Sequence, residues 1–397
     1  MDVRGKHCLV TGATDPVATR LIAALHEGGA GVRMMAPDLA TAADAARFPV
    51  EIVPGSTSDE SLVRSASEAA DILFHFGEDE ARADQRRQGT IHVAEAARSS
   101  GARLVHVSDA FVYGRVSGGS FDETQAHAGH GDDVLEAERD AEREVRTRAS
   151  GKLEATIVQP TIVYGPGSRR TTGLFDRVES GAHLVLQDSG LCNAVYLDDV
   201  VRGLLLAATR EEAVGETFLL NGPTPLSWND YVTKHEEILG RRARIELTAD
   251  EAHSLWNRLH GSRGVVREGL SIFREREDLQ VRLEQTSEIQ MLLRAARLVL
   301  PERFRRKVRS RLTRGKHPEI LEQGASRPSL AWLSDMPPDH AMPPREIEVV
   351  RSRAHARSDK AQRLLGYEPR IDWEEGMRRV GRWADWAGYL GARRRAL

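Results

Sequence analysis

Two short stretches of this 397-residue chain hold residue types whose spacing could do chemistry. The first is HCLVTGATDPVATRLIAAL, from His7 to Leu25. His7–Thr11 reads as a buried strand and 16–25 as the helix after it. The turn between them would then aim backbone N–H groups at an anion lying on the helix N-terminus. A GxxGxxG spacing asks for three glycines, and the three positions hold Gly12, Asp15 and Ala18, with Thr14 inside the turn. Ala18 is a mild change, because the last glycine serves close helix–strand packing. Asp15 is not, since it sets a Cβ and a negative charge where a pyrophosphate would lie. The second stretch is HAGHGDD, with His127, His130, Asp132 and Asp133. Its donors suit a metal or a general base, and equally a solvated turn in which an aspartate caps the next helix. No metal is expected there, and His130 is kept as a candidate acid/base.

The elements that must position these residues alternate regularly. Strand signals at 32–36, 51–53, 72–76, 104–108 and 155–159 are separated by helical stretches at 62–69, 90–98 and 134–148. A further helix at 204–208 and a strand at 217–220 extend the series. That alternation predicts an α/β doubly wound parallel sheet. In the helix at 134–148, Val134, Ala137, Ala141 and Val145 form one apolar stripe. From Thr248 to about Leu312 the character changes to long charged helical segments, followed by a proline-rich linker, MPPDHAMPP.

Composition describes a globular chain, with 40% hydrophobic and 29% charged residues and a net charge of −3. No apolar run reaches the ~20 residues that span a bilayer, and no leader peptide is expected before the first strand. The two cysteines, Cys8 and Cys192, suit buried thiols in a reducing cytoplasm better than a disulfide framework. Charge is uneven: between Gln290 and Lys316 ten basic residues face one acid, Glu302. This basic segment is read as a lid with solvated arginines, in preference to a contact with an anionic membrane surface. Nucleic acid is not expected, because no aromatic-interleaved patch accompanies the charge.

Several separated pieces resemble the extended short-chain dehydrogenase/reductases, the NAD-dependent epimerase/dehydratase group. They are TGAT at 11–14, FHF at 74–76, GTIHVAEAA at 89–97, VHVSDAFVYG at 105–114, DET at 122–124, IVQPTIVYGPG at 157–167, YLDDVVRGL at 196–204 and SDKAQRLLGYEP at 358–369. The resemblance implies a Rossmann-like domain over 1–175, completed by about 195–225. A smaller C-terminal substrate domain would follow over 226–397, enlarged by a helical insertion at 248–345. It also implies a small-molecule substrate and a homodimer.

The family's catalytic set is a Tyr-x-x-x-Lys pair with a nearby Ser or Thr. Carried onto this chain, the Ser/Thr position falls on Asp109, beside Ser108, the tyrosine on Val134 and the lysine on Glu138. A shifted alignment gives His130 and Val134. The dinucleotide contacts are altered as well. Gly12, Thr14, Asp15, Ala18 and Phe76 stand in the glycine-loop region, while the ribose-binding acid after the second strand falls on Ala36. The acid after the third strand falls on Ser56, and acids such as Glu80 follow the fourth. NAD(P) with a weakened motif and no cofactor at all both remain open. Paired carboxylates push each other's pKa values apart, so Asp109 and Glu138 suit a non-redox proton transfer: elimination, isomerisation, cyclisation or hydrolysis. Ser108, His130 and Tyr164 complete the candidate set. A working NAD(P)-dependent epimerase/dehydratase or reductase, and a non-catalytic binding relative, are the alternatives.

Overall fold

The computed structural model describes residues 2–12, 15–77, 83–127, 133–260 and 340–390. Seven strands form the central sheet: β1 (His7–Thr11), β2 (Gly31–Ala36), β3 (Glu51–Pro54), β4 (Ile72–Phe76), β5 (Arg103–Val107), β6 (Ala155–Pro160) and β7 (Thr217–Leu220). Their order is β7-β6-β5-β4-β1-β2-β3 and every pairing is parallel. Parallel strands covered on both faces read as continuous apolar runs, and β4 is buried at all five residues.

Successive side chains of β1 enter two different cores. Cys8 and Val10 join Phe74, Val105 and Val158 in a core with helices α1 (Pro16–Glu27) and α6 (Leu197–Thr209). Leu9 joins Leu73, Leu104 and Ile157 on the other face, against α2 (Glu60–Ala66), α3 (Ala83–Ser100) and α4 (Asp133–Ala149). The strand order reverses between β1 and β4, and in such sheets the ligand crevice opens beyond the carboxyl ends of the strands at that reversal.

The chain divides into two compact units: 1–172, 190–231 and 352–380 form the first, and 173–189, 232–351 and 381–397 the second. Helix α5 (Arg169–Ser180) begins in the first unit and runs into the second. The sequence reading put everything beyond residue 226 into one C-terminal domain, whereas 352–380 lies in the first unit. Long-range hydrogen bonds explain the difference. His355–Ala356 pairs with Ser120–Phe121, Asn221 N donates to Ser358 Oγ at 2.8 Å, and the Asp199 carboxylate accepts from Arg370 N and Ile371 N. In the second unit His183–Leu186 pairs in parallel with Arg244–Leu247, and Phe175, Trp383 and Tyr389 make an aromatic cluster.

Most of the 248–345 insertion, including the basic segment 290–316, lies outside the described residues. Among the described residues no helix is long and apolar enough to cross a membrane. Both cysteines are buried and free, and burial pushes the Cys8 thiol up to about 12.

Candidate active site

At the carboxyl end of β1, Gly12 adopts the left-handed region with φ +64, and a Cβ there would run into the Phe76 carbonyl oxygen. Only glycine permits that close approach. Asp15 then caps α1: its Oδ1 accepts from Val17 N at 2.6 Å, and its Oδ2 stands 3.8 Å from Arg169 Nε. Pro16 is the first helical residue and has no N–H to offer. Ala18 and Phe76 are buried core residues. Ala36 is also buried, and its carbonyl accepts from Gly55 N at 2.8 Å. Ser56 Oγ pairs with Ser58 Oγ at 2.9 Å. Thr14 and Glu80 lie outside the described residues.

The expected carboxylates lie beyond β4 and β5. Glu138, on α4, forms an ion pair with Arg86 from α3, each side chain being only 12% exposed. Arg86 Nη1 lies where a Cβ on Gly77, just past β4, would touch it. Burial pushes the Glu138 carboxyl up to about 6; Arg86 pulls the other way, and the charges of Asp109 and Glu142 push up again. Asp109 itself caps the turn Ala110–Tyr113, its Oδ1 accepting from Phe111 N at 2.7 Å. Val134, at the tyrosine position, is 39% exposed.

Ser108 donates its hydroxyl to Glu142 Oε1 at 2.6 Å. Glu142 is fully buried and also accepts from Gln159 Nε2 at 2.7 Å and, at Oε2, from Arg146 at 2.7 Å. His127 Nε2 stands 3.6 Å from the same oxygen, and Tyr113 OH donates to Gln159 Oε1 at 2.5 Å. His75 on β4 and His106 on β5 are stacked, with ring centroids 5.3 Å apart. His75 sits between the Thr11 and Thr90 hydroxyls at 2.7 and 3.0 Å. Burial holds it well below its ordinary pKa and pushes His106 down to about 4, so both rings are neutral at pH 7.

The charge of Asp109 thus bears on the Glu138 carboxyl, while Ser108 is bonded to Glu142. Tyr164 stands elsewhere in its contacts: its ring packs on Tyr196 and Trp373, and its hydroxyl donates to the Asp372 carbonyl at 3.4 Å. His130 and Asp132 lie outside the described residues, and among those described no group of His, Cys, Asp and Glu could hold a metal. Sequence reasoning missed Arg86 and Glu142. Glu142 did carry a signal, since it follows Glu138 by four residues and so shares its side of the helix.

The profile of the NAD dependent epimerase/dehydratase family matches residues 8–220. A 3-diazoavenalumate denitrifying reductase from a Streptomyces species is 32% identical over 231 residues, covering 52% of this chain and 73% of that protein. Among solved structures, the epimerase Mth375 of Methanothermobacter thermautotrophicus superposes with a TM-score of 0.64 at 18% identity, over 97% of this chain and 93% of that one. DesIV, a dTDP-glucose 4,6-dehydratase from Streptomyces venezuelae with NAD and TYD bound, gives a TM-score of 0.64 at 16% identity, over 97% and 99%. Those two likenesses speak for the Rossmann-like fold. With the matched profile spanning more than half its length, this chain belongs to the NAD-dependent epimerase/dehydratase family.

Proposed function

We propose that the chain is a small-molecule enzyme whose central step is a proton transfer, with Glu138 as the general base. The observation that carries this reading is the Glu138 carboxyl itself: buried, paired with Arg86, and pushed up to about 6. A base poised near neutral pH combines a large ionised fraction with useful proton affinity. Arg86 keeps the ionised form tolerable in the buried site, and once Glu138 has taken the proton the Arg86 charge offsets the negative charge left on the substrate. Asp109 holds the Ala110–Tyr113 turn and biases Glu138 by like charge. Elimination, isomerisation, cyclisation and hydrolysis all fit such a step. The family relationship and the nucleotide ligand named with DesIV favour a nucleotide-linked or comparably polar substrate.

The residues at the dinucleotide position do not fit a pyrophosphate. Residue 16 has no N–H, the N–H of Val17 is taken by Asp15, and Asp15 adds a carboxylate. No step of the reading is routed through a dinucleotide. A second reading, a dinucleotide-dependent reductase, is favoured by the Streptomyces relative, whose name describes reductive loss of nitrogen from a diazo compound. Nitrogen departing as a neutral gas leaves no oxyanion to protonate, so loss of the tyrosine position is compatible with that class.

Screening the purified chain against UDP- and dTDP-sugars and aryl acids, each with and without NAD(P) in both oxidation states, separates the two. Turnover indifferent to dinucleotide supports the proton-transfer reading; strict dependence on it supports the reductase. On the substrate so found, kcat/KM is expected to rise with pH through about 6, as Glu138 ionises. Asp109→Asn keeps an oxygen for the Phe111 N–H and removes the like charge. Its acid limb should therefore move to lower pH, and an unmoved limb contradicts the coupling.

A further inference from the structure

The start of α1 is in effect already occupied, by the chain's own anion. In a strand–turn–helix of this kind the first N–H groups of the helix are orphans directed out of the helix end, and an anion placed there satisfies them. Here one of those donors is missing at Pro16, and the next, Val17 N, is satisfied at 2.6 Å by Asp15 Oδ1. The other oxygen of Asp15 faces Arg169 at 3.8 Å, so a guanidinium is also drawn to the charge that a phosphate would supply. Gly12 keeps its left-handed backbone against the Phe76 carbonyl, and Ala18, fully buried, allows α1 to lie close on the sheet.

We propose that Asp15 is a built-in surrogate for a ligand phosphate, and that its carboxylate together with Pro16 keeps the start of α1 from holding a dinucleotide. The inference deepens the misfit described above and is independent of the role of Glu138, because it is tested by binding alone.

The test is isothermal titration of the full chain with ADP-ribose and with NAD+, comparing the native protein with D15N, D15G and D15G/P16A. D15N removes the charge and keeps the cap. D15G frees the Val17 N–H, and P16A adds a second donor. The expected order of affinity for both probes is native < D15N < D15G < D15G/P16A, the last at least about tenfold tighter than native, a difference near 1.4 kcal/mol. Circular dichroism and thermal melts check that each variant is folded. If D15G/P16A fails to fold, D15N still decides, since it must bind tighter than the native chain. Native protein that binds either probe as tightly as D15G/P16A overturns the inference, as does a folded D15G/P16A with no gain. Neither result bears on Glu138, whose variants decide the proton-transfer reading separately.

Discussion

Glu138→Gln is expected to lower kcat by about 10²- to 10⁴-fold, the range that a positioned general base contributes, while leaving the protein folded. Glutamine matches the shape of the side chain and keeps an oxygen for Arg86, but it cannot take a proton. The same substitution should change how stability depends on pH. The folded-state pKa of Glu138 is raised from 4.5 to about 6, so the folded chain holds the proton more tightly than the unfolded one. The contribution to stability is complete below pH 4.5 and is lost as pH rises through about 6, a loss of about 2 kcal/mol. Denaturant titrations across that window should show stability falling by about 2 kcal/mol less in E138Q than in the native chain. Burial outweighing the ion pair is what makes the carboxyl reactive, and it is also what makes the ionised site costly to fold.

Glu142→Ala has the largest expected effect on stability. The Glu142 carboxylate is fully buried and accepts from Ser108, Gln159 and Arg146. Removing it strands two buried neutral donors and one guanidinium. Breaking a buried charged pair by deleting one partner costs about 3–5 kcal/mol. Arg146 keeps 43% of its side chain exposed, so water compensates it in part and about 3 kcal/mol is the better figure. At about 2.1 cal/mol/K of unfolding entropy per residue, a chain of this size loses about 4 °C in Tm. Glu142→Gln, which keeps one acceptor, should fall between the two. A melt of E142A within about 2 °C of native would show that the network contributes little to stability.

The sheet was largely legible because its strands are short apolar runs closed by turn residues. His7–Thr11 and Ile72–Phe76 have the bounds expected from sequence, and β2, β3, β5 and β6 differ by a residue at one or both ends. Helix α3 was less legible. The expectation began it at residue 90, but it starts at Ala83. Residues 83–89 are polar, and Gly89 reads as a break; in the fold it gives room for Thr57, whose hydroxyl a Cβ there would strike. Arg86 was hidden in that polar turn. Glu142 was hidden differently: its partners Ser108 and Gln159 are 34 and 17 residues away, and no local pattern announces them. Asp15, by contrast, was readable from the first twenty residues, and the structure adds the two contacts that define its role, to Val17 N and toward Arg169.

The central claim is that Glu138 moves the proton. The pH profile of kcat/KM, measured for the native chain and for E138Q on the same substrate, tests it most directly. The account predicts an acid limb near pH 6 in the native protein, and in E138Q a rate at least about 10²-fold lower without that limb. An E138Q enzyme that keeps native turnover and the same limb contradicts it.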